Sequence, residues 1–148
     1  TPDETLAGIL AGFFVRAGGA GSVLLVDPRR ALHLVHLRNE FLAADPARLF
    51  GFDAALGVRE DPAFELRRQI ALPFVKLHGT GCVAFSTAGE PARLELTPEA
   101  PLTLSSRSLL GYGGDLVVDL VEDADPLADL GGGPVLSLSG SGYVLIEA

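Results

Sequence analysis

Hydrophobic residues alternate with polar or small residues over much of this chain. The two-residue period is found at these apolar positions: Leu94 and Leu96, Leu102 and Leu104, Leu116, Val118 and Leu120, Leu136 and Leu138, and Val144 and Ile146. Successive side chains of a strand point to opposite faces, so this period predicts strands with one buried face. Several short strands separated by turn signals favour a sandwich or a barrel.

A helix-start pattern opens the chain. Thr1 can cap a helix, Pro2 suits its first turn, and Glu4 completes a capping box. Apolar residues at helical spacing follow, and a similar pattern recurs later in the chain: Leu6, Ile9, Leu10 and Phe13 in the first instance, and Asp61, Pro62, Leu66 and Ile70 in the second. The sequence therefore predicts one or two short helices, with an extended segment as the alternative for the second.

Three Gly-x-Gly triplets recur along the chain. They begin at Gly19, Gly79 and Gly140, at spacings of 60 and 61 residues, and their surroundings recur with them. The matched positions include Phe14 with Phe74, Val23 with Val83 and Val144, Leu34 with Leu94, Leu42 with Leu102, and Leu49 with Leu109. Because glycine adopts positive φ without steric cost, each triplet is expected to be a tight hairpin turn or a bulge between paired strands.

The repeat sets the predicted organisation of the chain. Residues 1–148 are expected to be a single domain, with one copy at 1–60, a second at 61–124 and a partial third at 125–148. The predicted fold class is mostly β. We expect an antiparallel β-sandwich or a double-stranded β-helix-like fold with internal repeats of about 60 residues and one or two short helices.

Composition narrows the classes of partner. The chain has 148 residues, of which 48% are hydrophobic, and its net charge is −8. An acidic balance disfavours nucleic-acid binding and anionic membrane surfaces. No apolar run is long enough to span a bilayer, and no signal peptide is visible, so a cytoplasmic location is expected. Cys82 is the only cysteine, which fits a reducing compartment, and the Ala-, Gly-, Leu- and Arg-rich composition suggests a bacterial source.

Histidine and cysteine residues are candidates for metal binding or nucleophilic catalysis. His33 and His36 are three apart, so in a strand they lie on opposite faces and cannot hold one ion together. His78 and Cys82 flank the second triplet and could approach each other across a turn, as metal ligands or as a nucleophile pair. The favoured interpretation is a buried cysteine and a turn histidine, because no third ligand or orienting group is evident.

Acidic and serine residues cluster near the C-terminus. The acidic residues are Asp115, Asp119, Glu122, Asp123, Asp125 and Asp129, and their spacing matches no calcium loop, so a solvated face is expected. Ser137, Ser139 and Ser141 alternate along one strand with no histidine nearby in sequence. The triplets lack the third glycine and the following helix of a dinucleotide site. We therefore predict no catalytic residue, no metal site and no cofactor.

Two segments carry a family resemblance. Phe41-Leu42-Ala43-Ala44-Asp45 and the closing run from Leu138 to Leu145 resemble the altered-inheritance-of-mitochondria protein twenty-four family. The resemblance extends from about Phe13 to the end of the chain. It implies a fold similar to the tryptophan RNA-binding attenuator protein, and homo-oligomers such as trimers. It transfers no catalytic residue, because the family has no agreed ones.

The leading hypothesis for function is a non-enzymatic β domain that associates with itself and acts as a scaffold or binding module. One alternative is a cupin-like protein that binds a metal or small molecule, although the three histidines are widely spaced. The other is an RNA-binding ring, by analogy with the attenuator protein. Such a ring could gather Arg29, Arg30, Arg67 and Arg68 on one surface, against the acidic net charge.

Overall fold

The fold is built from antiparallel strands. A computed structural model of the chain describes residue 14 and residues 17–60, 74–121 and 135–147. These residues contain eight strands and one short 3-10 turn, and the ladders described below are all antiparallel. The predicted mostly β, antiparallel class is confirmed. The two predicted helices lie outside the described residues. Asp125, at the predicted start of the third copy, lies outside them too.

The chain divides into two compact units, residues 1–88 and 89–148. The first unit contains β1 (Ala31–Ala44), β2 (Leu49–Phe52), β3 (Gly57–Glu60) and β4 (Val75–Thr87). Its central strand is β4, which pairs with β1 on one side and with β2 and β3 on the other.

The second unit contains β5 (Ala92–Leu96), β6 (Leu102–Ser105), a 3-10 turn (Ser106–Ser108), β7 (Leu109–Leu120) and β8 (Val135–Ile146). Its central strand is β8, which pairs with β5 and β6 on one side and with β7 on the other. Each unit therefore places a strand with a Gly-x-Gly triplet between strands that precede it in sequence.

The strand registers of the two units correspond closely. Phe52 pairs with Val83 in the first unit, and Tyr112 pairs with Val144 in the second. Both ladders shift register at the equivalent place, between Leu49 and Gly51 and between Leu109 and Gly111. The sequence copies at 1–60, 61–124 and 125–148 remain a prediction, which these registers support.

One part of the sequence alignment is wrong by a residue. The sequence alignment matched Leu34 with Leu94. Val83 and Val144 occupy equivalent positions, and their cross-strand partners are Val35 and Leu94. The residue equivalent to Leu94 is therefore Val35. The cause lies in the connections that follow. In the first unit the register of β1 shifts between Leu37 and Glu40 around Asn39 at φ 50°, whereas the second unit leaves the ladder over residues 97–101. The connection in the second unit is one residue longer than the connection in the first. An ungapped alignment that is in register after these connections is therefore out of register by one residue before them.

The second and third Gly-x-Gly triplets lie inside continuous strands. Of the two predicted alternatives, the hairpin turn is wrong, because Gly79 and Gly140 lie within β4 and β8, each with φ of 118°. The bulge agrees with the ladder between β1 and β4, which shifts register opposite Gly79 and Gly81. In the first unit the glycines make room for the turn between β2 and β3, because a Cβ on Gly81 would lie 2.9 Å from Cβ of Asp53. The positive φ bends the strand without ending it.

Equivalent turns follow β1 and β6. In the first unit Asp45 accepts a hydrogen bond from the Ala47 N–H at 3.0 Å. In the second, Ser105 Oγ accepts one from the Arg107 N–H at 3.4 Å. Both are side-chain-closed turns in which a short polar residue bonds the backbone two residues on. Burial of the Asp45 carboxyl raises its pKa, and the Ala47 N–H opposes that rise.

The buried apolar side chains concentrate on the central strands and their neighbours. In the first unit they are Leu37, Leu42, Ala43, Ala44, Leu49, Leu56, Phe74, Val75, Leu77, Val83, Ala84 and Phe85. In the second they are Leu96, Leu109, Leu110, Tyr112, Leu136, Leu138, Tyr143, Val144 and Leu145. Val83, Ala84 and Phe85 are consecutive and all buried, so both faces of β4 are covered there.

Candidate interaction surface

Four exposed large apolar residues of the first unit form one run before β1, and Leu34 within β1 is exposed as well. Val23, Leu24, Leu25 and Val26 are 71%, 88%, 50% and 62% exposed. We call Val23–Val26 the apolar segment. Residues 17–30 contain no helix or strand, and no backbone hydrogen bond joins the apolar segment to any described residue. The segment thus presents its side chains to solvent, and its backbone groups bond to no described residue.

Contacts on either side of the apolar segment hold it against the first unit. At one end, the ring of Phe14 lies 5.5 Å from the ring of Phe52 in β2. At the other, the Asp27 carboxylate accepts hydrogen bonds from Ser86 Oγ at 2.6 Å and from the Arg29 N–H at 3.1 Å. Those two hydrogen bonds, that from Ser86 foremost, lower the pKa of Asp27. The apolar segment is therefore an anchored, exposed strip.

The backbone before the apolar segment matches that of the two central strands at the first glycine of the triplet but not at the third, because Gly21 has φ of 140° and neither Gly81 nor Gly142 has positive φ. Gly19 has φ of 122°, close to the 118° of Gly79 and Gly140. The surroundings differ, because a Cβ on Gly19 would meet nothing within 4 Å, whereas one on Gly142 would meet the Gly113 carbonyl oxygen and the Leu116 side chain. The sequence predicted that Val23 belongs to a strand like Val83 and Val144. Among the described residues of the first unit that prediction is wrong, because residues 22–27 form no strand there.

The histidine and cysteine candidates are arranged differently from the sequence prediction. His78 and Cys82 lie in the one strand β4, so they do not face each other across a turn. Cys82 instead has His36 of β1 as its cross-strand partner, and His78 has Phe41. His33 pairs with Phe85, so the two β1 histidines alternate in face as predicted. Sequence reasoning missed the pairing of His36 with Cys82, since no local signal encodes strand register.

The acidic and serine candidates meet on one ladder of the second unit. Asp115 pairs with Ser141 and Asp119 with Ser137, between β7 and β8. Glu122, Asp123, Asp125 and Asp129 lie outside the described residues, as do Arg67 and Arg68, while Arg29 and Arg30 are exposed beside the apolar segment. In the part of the chain that the structure describes, no three His, Cys, Asp or Glu residues form a metal-binding group.

Among the described residues there is no helix with the length and apolar character needed to cross a bilayer.

Comparison with known proteins gives a fold relationship. The chain is similar in structure to protein SPYM3_0169 from Streptococcus pyogenes, with a TM-score of 0.61 at 14% sequence identity. The match covers 80% of this chain and 54% of that protein, so the chain spans about half of its length. No family model and no curated protein matches the chain. At this identity the similarity concerns the fold alone.

The apolar segment has a signal in the sequence that hydrophobic periodicity does not detect. Val23–Val26 is four consecutive apolar residues within a stretch, 17–26, that carries no charge. A run of consecutive apolar residues is also typical of a strand that is buried on both faces, as Val83–Phe85 is in β4. Only the strand pairing distinguishes a buried strand from an exposed one.

Proposed function

We propose that this chain is a non-enzymatic β domain that associates with copies of itself and acts as a scaffold or binding module. The observation that carries the proposal is the apolar segment. A contiguous run of exposed apolar side chains on a folded domain is typical of an interaction site. The backbone groups of these residues bond to no other described residue, and such groups can add a strand to a partner.

Other features support self-association in particular. The resemblance to the altered-inheritance-of-mitochondria protein twenty-four family implies homo-oligomers such as trimers. The acidic composition and the single cysteine are consistent with a bacterial, cytoplasmic protein whose charge disfavours binding to nucleic acid.

Solution mass tests this proposal directly. Light scattering coupled to size exclusion, run from low micromolar to the highest attainable concentration, should give a mass above the 15.4 kDa of one chain. The mass should rise with concentration if association is reversible. A mass of one chain at every concentration would refute the proposed self-association.

A further inference from the structure

We propose that β5 pairs with the β5 of a second copy, as two antiparallel strands related by a two-fold axis that passes through the Leu94 pair, perpendicular to the sheet. The axis sets Leu94 opposite the partner's Leu94, and Arg93 opposite the partner's Glu95. This inference rests on the proposed self-association and names a contact in the second unit, separate from the apolar segment.

Among the described residues, β5 is an edge strand. It bonds to β8 on one side, and no described strand pairs with it on the other. The first four of its five residues are exposed, and Leu96 is buried. Alternate residues of an edge strand point their N–H and C=O groups away from the sheet, so a strand from another chain can bond to them.

The charges of β5 complement each other under this axis. Arg93 and Glu95 lie on one face of the strand, on either side of Leu94, and form an ion pair of 2.7 Å within the chain. Antiparallel pairing about Leu94 sets each of them opposite the other residue type of the partner, so two opposite-charge pairs form across the axis. A two-fold interface needs a patch that complements itself, and this order supplies one.

Charge also disfavours the neighbouring registers. An axis through Arg93 would set two arginines opposite each other, and an axis through Glu95 would set two glutamates opposite each other. Parallel pairing in register would oppose like charges at both positions. Because like charges directly opposite are destabilising, the axis through Leu94 is favoured. Proline donates no backbone hydrogen bond, so Pro91 and Pro98 confine the pairing to the strand between them.

The apolar side of β5 gains cover in the same arrangement. Leu94 has the buried Val144 of β8 as its cross-strand partner, but is itself 37% exposed at the edge. A rotation about an axis perpendicular to the sheet keeps each face on its own side, so the two leucines meet on one face and the charges on the other. Backbone hydrogen bonds and leucine burial therefore supply most of the affinity, and the ion pairs fix the register.

Charge reversal tests the pairing by sedimentation velocity. Arg93→Glu makes both charges of the strand acidic, and Glu95→Arg makes both basic, so each variant should self-associate about tenfold more weakly than the wild type. An equimolar mixture of the two should recover association, because an acidic strand then faces a basic one. This recovery would exclude loss of the intrachain ion pair as the cause, since neither chain of the mixture contains that pair.

The matched control for net charge is Arg38→Glu, at an exposed arginine of β1. It changes the net charge as much as Arg93→Glu does, and should leave association within about twofold of the wild type. Circular dichroism and thermal unfolding of Arg93→Glu and Glu95→Arg should match the wild type, because the intrachain ion pair is exposed and contributes little. A loss of association in Arg38→Glu equal to that in Arg93→Glu would refute the β5 contact.

Disulfide trapping tests the axis, in a Cys82→Ser background. Leu94→Cys chains should cross-link with one another under a mild oxidant, because the axis sets this position opposite its own copy. Ala92→Cys is the control, since its own copy is roughly 13 Å away along the strand, too far for a disulfide. Cross-linking of Ala92→Cys that equals or exceeds that of Leu94→Cys would overturn the assigned axis.

The outcomes separate this inference from the proposed function. An oligomer whose association is unaffected by Arg93→Glu refutes the β5 contact and leaves self-association standing. A trimer that depends on Arg93 refutes the two-fold pairing. A wild-type chain that stays monomeric at every concentration refutes both.

Discussion

At the scale of single residues, Tyr143 shows how side chains compensate for glycine in these sheets. Its ring lies beside Gly113, where an added Cβ would be 2.6 Å from the ring atoms Cε1 and Cζ. The guanidinium of Arg93 lies 3.9 Å from the ring centroid and forms an ion pair of 2.7 Å with Glu95. The exposed ion pair contributes little, about 0–1 kcal/mol. Packing of the ring over the glycine is therefore the larger stabilising element.

The Asp27–Ser86 hydrogen bond predicts that the stability of the folded chain depends on pH. Because the bond lowers the pKa of Asp27 in the folded chain, its contribution is present above the ordinary aspartate pKa of about 3.9. It is lost as the pH falls through the folded-state pKa. Ser86→Ala should therefore be less stable than the wild type at neutral pH, and the difference should shrink in strong acid.

Carboxyl NMR titration measures the same effect at the site. The pKa of Asp27 should rise in Ser86→Ala towards its ordinary value, because the largest cause of its lowering is removed. Ser137→Ala, in β8, serves as the control and should leave the Asp27 pKa in place. An unchanged pKa in Ser86→Ala would contradict the assigned cause.

At the scale of elements, the central strands depend on close approach at their glycines. A Cβ on Gly142 would collide with the Gly113 carbonyl oxygen and lie 3.2 Å from Cα of Gly114. Both obstacles are backbone of the neighbouring strand β7, which cannot rotate away as a side chain can. The glycine is thus required by the sheet and not by a turn.

Gly142→Ala should accordingly destabilise the fold by about 2–3 kcal/mol, as overpacking at a site that cannot relax does. Denaturant unfolding measures the difference. Gly89→Ala is the control, because a Cβ there would meet nothing within 4 Å, and it should be neutral or slightly stabilising. Equal effects of the two substitutions would argue against close approach as the reason for Gly142.

The strands were largely predictable, because alternation is a local signal. The predicted strand positions at Leu94–Leu96, Leu102–Leu104 and Leu116–Leu120 are confirmed in β5, β6 and β7. The hairpin at Gly-x-Gly was not, since positive φ serves a turn and a bent strand alike. The strand at Val23 failed for another reason: strand formation needs a partner, which local sequence does not specify.

At the scale of the whole molecule, charge and apolar surface act in opposite directions. The net charge of −8 opposes association of two copies, and the uncharged apolar segment favours it. Which effect dominates depends on ionic strength, because salt screens exposed charges beyond about 10 Å at 0.1 M. Contact between apolar side chains is not weakened by that screening.

Self-association should therefore strengthen as sodium chloride is raised from low to moderate concentration. Sedimentation velocity at a fixed protein concentration measures the shift. Val117→Lys lowers the negative net charge by one without touching the segment, so it should show the same trend with a slightly smaller slope. Association that weakens with salt would indicate contacts between opposite charges instead of the apolar segment.

The pairing of central strands with strands that precede them has a consequence for protein dissection. A fragment ending at residue 60 would hold β1, β2 and β3, but would lack β4, the strand to which all three bond in the first unit. A fragment ending at Ala88 would keep that ladder whole. An excision site chosen from the repeat period would therefore remove β4 from the strands that bond to it, whereas a site at Ala88 would keep them together.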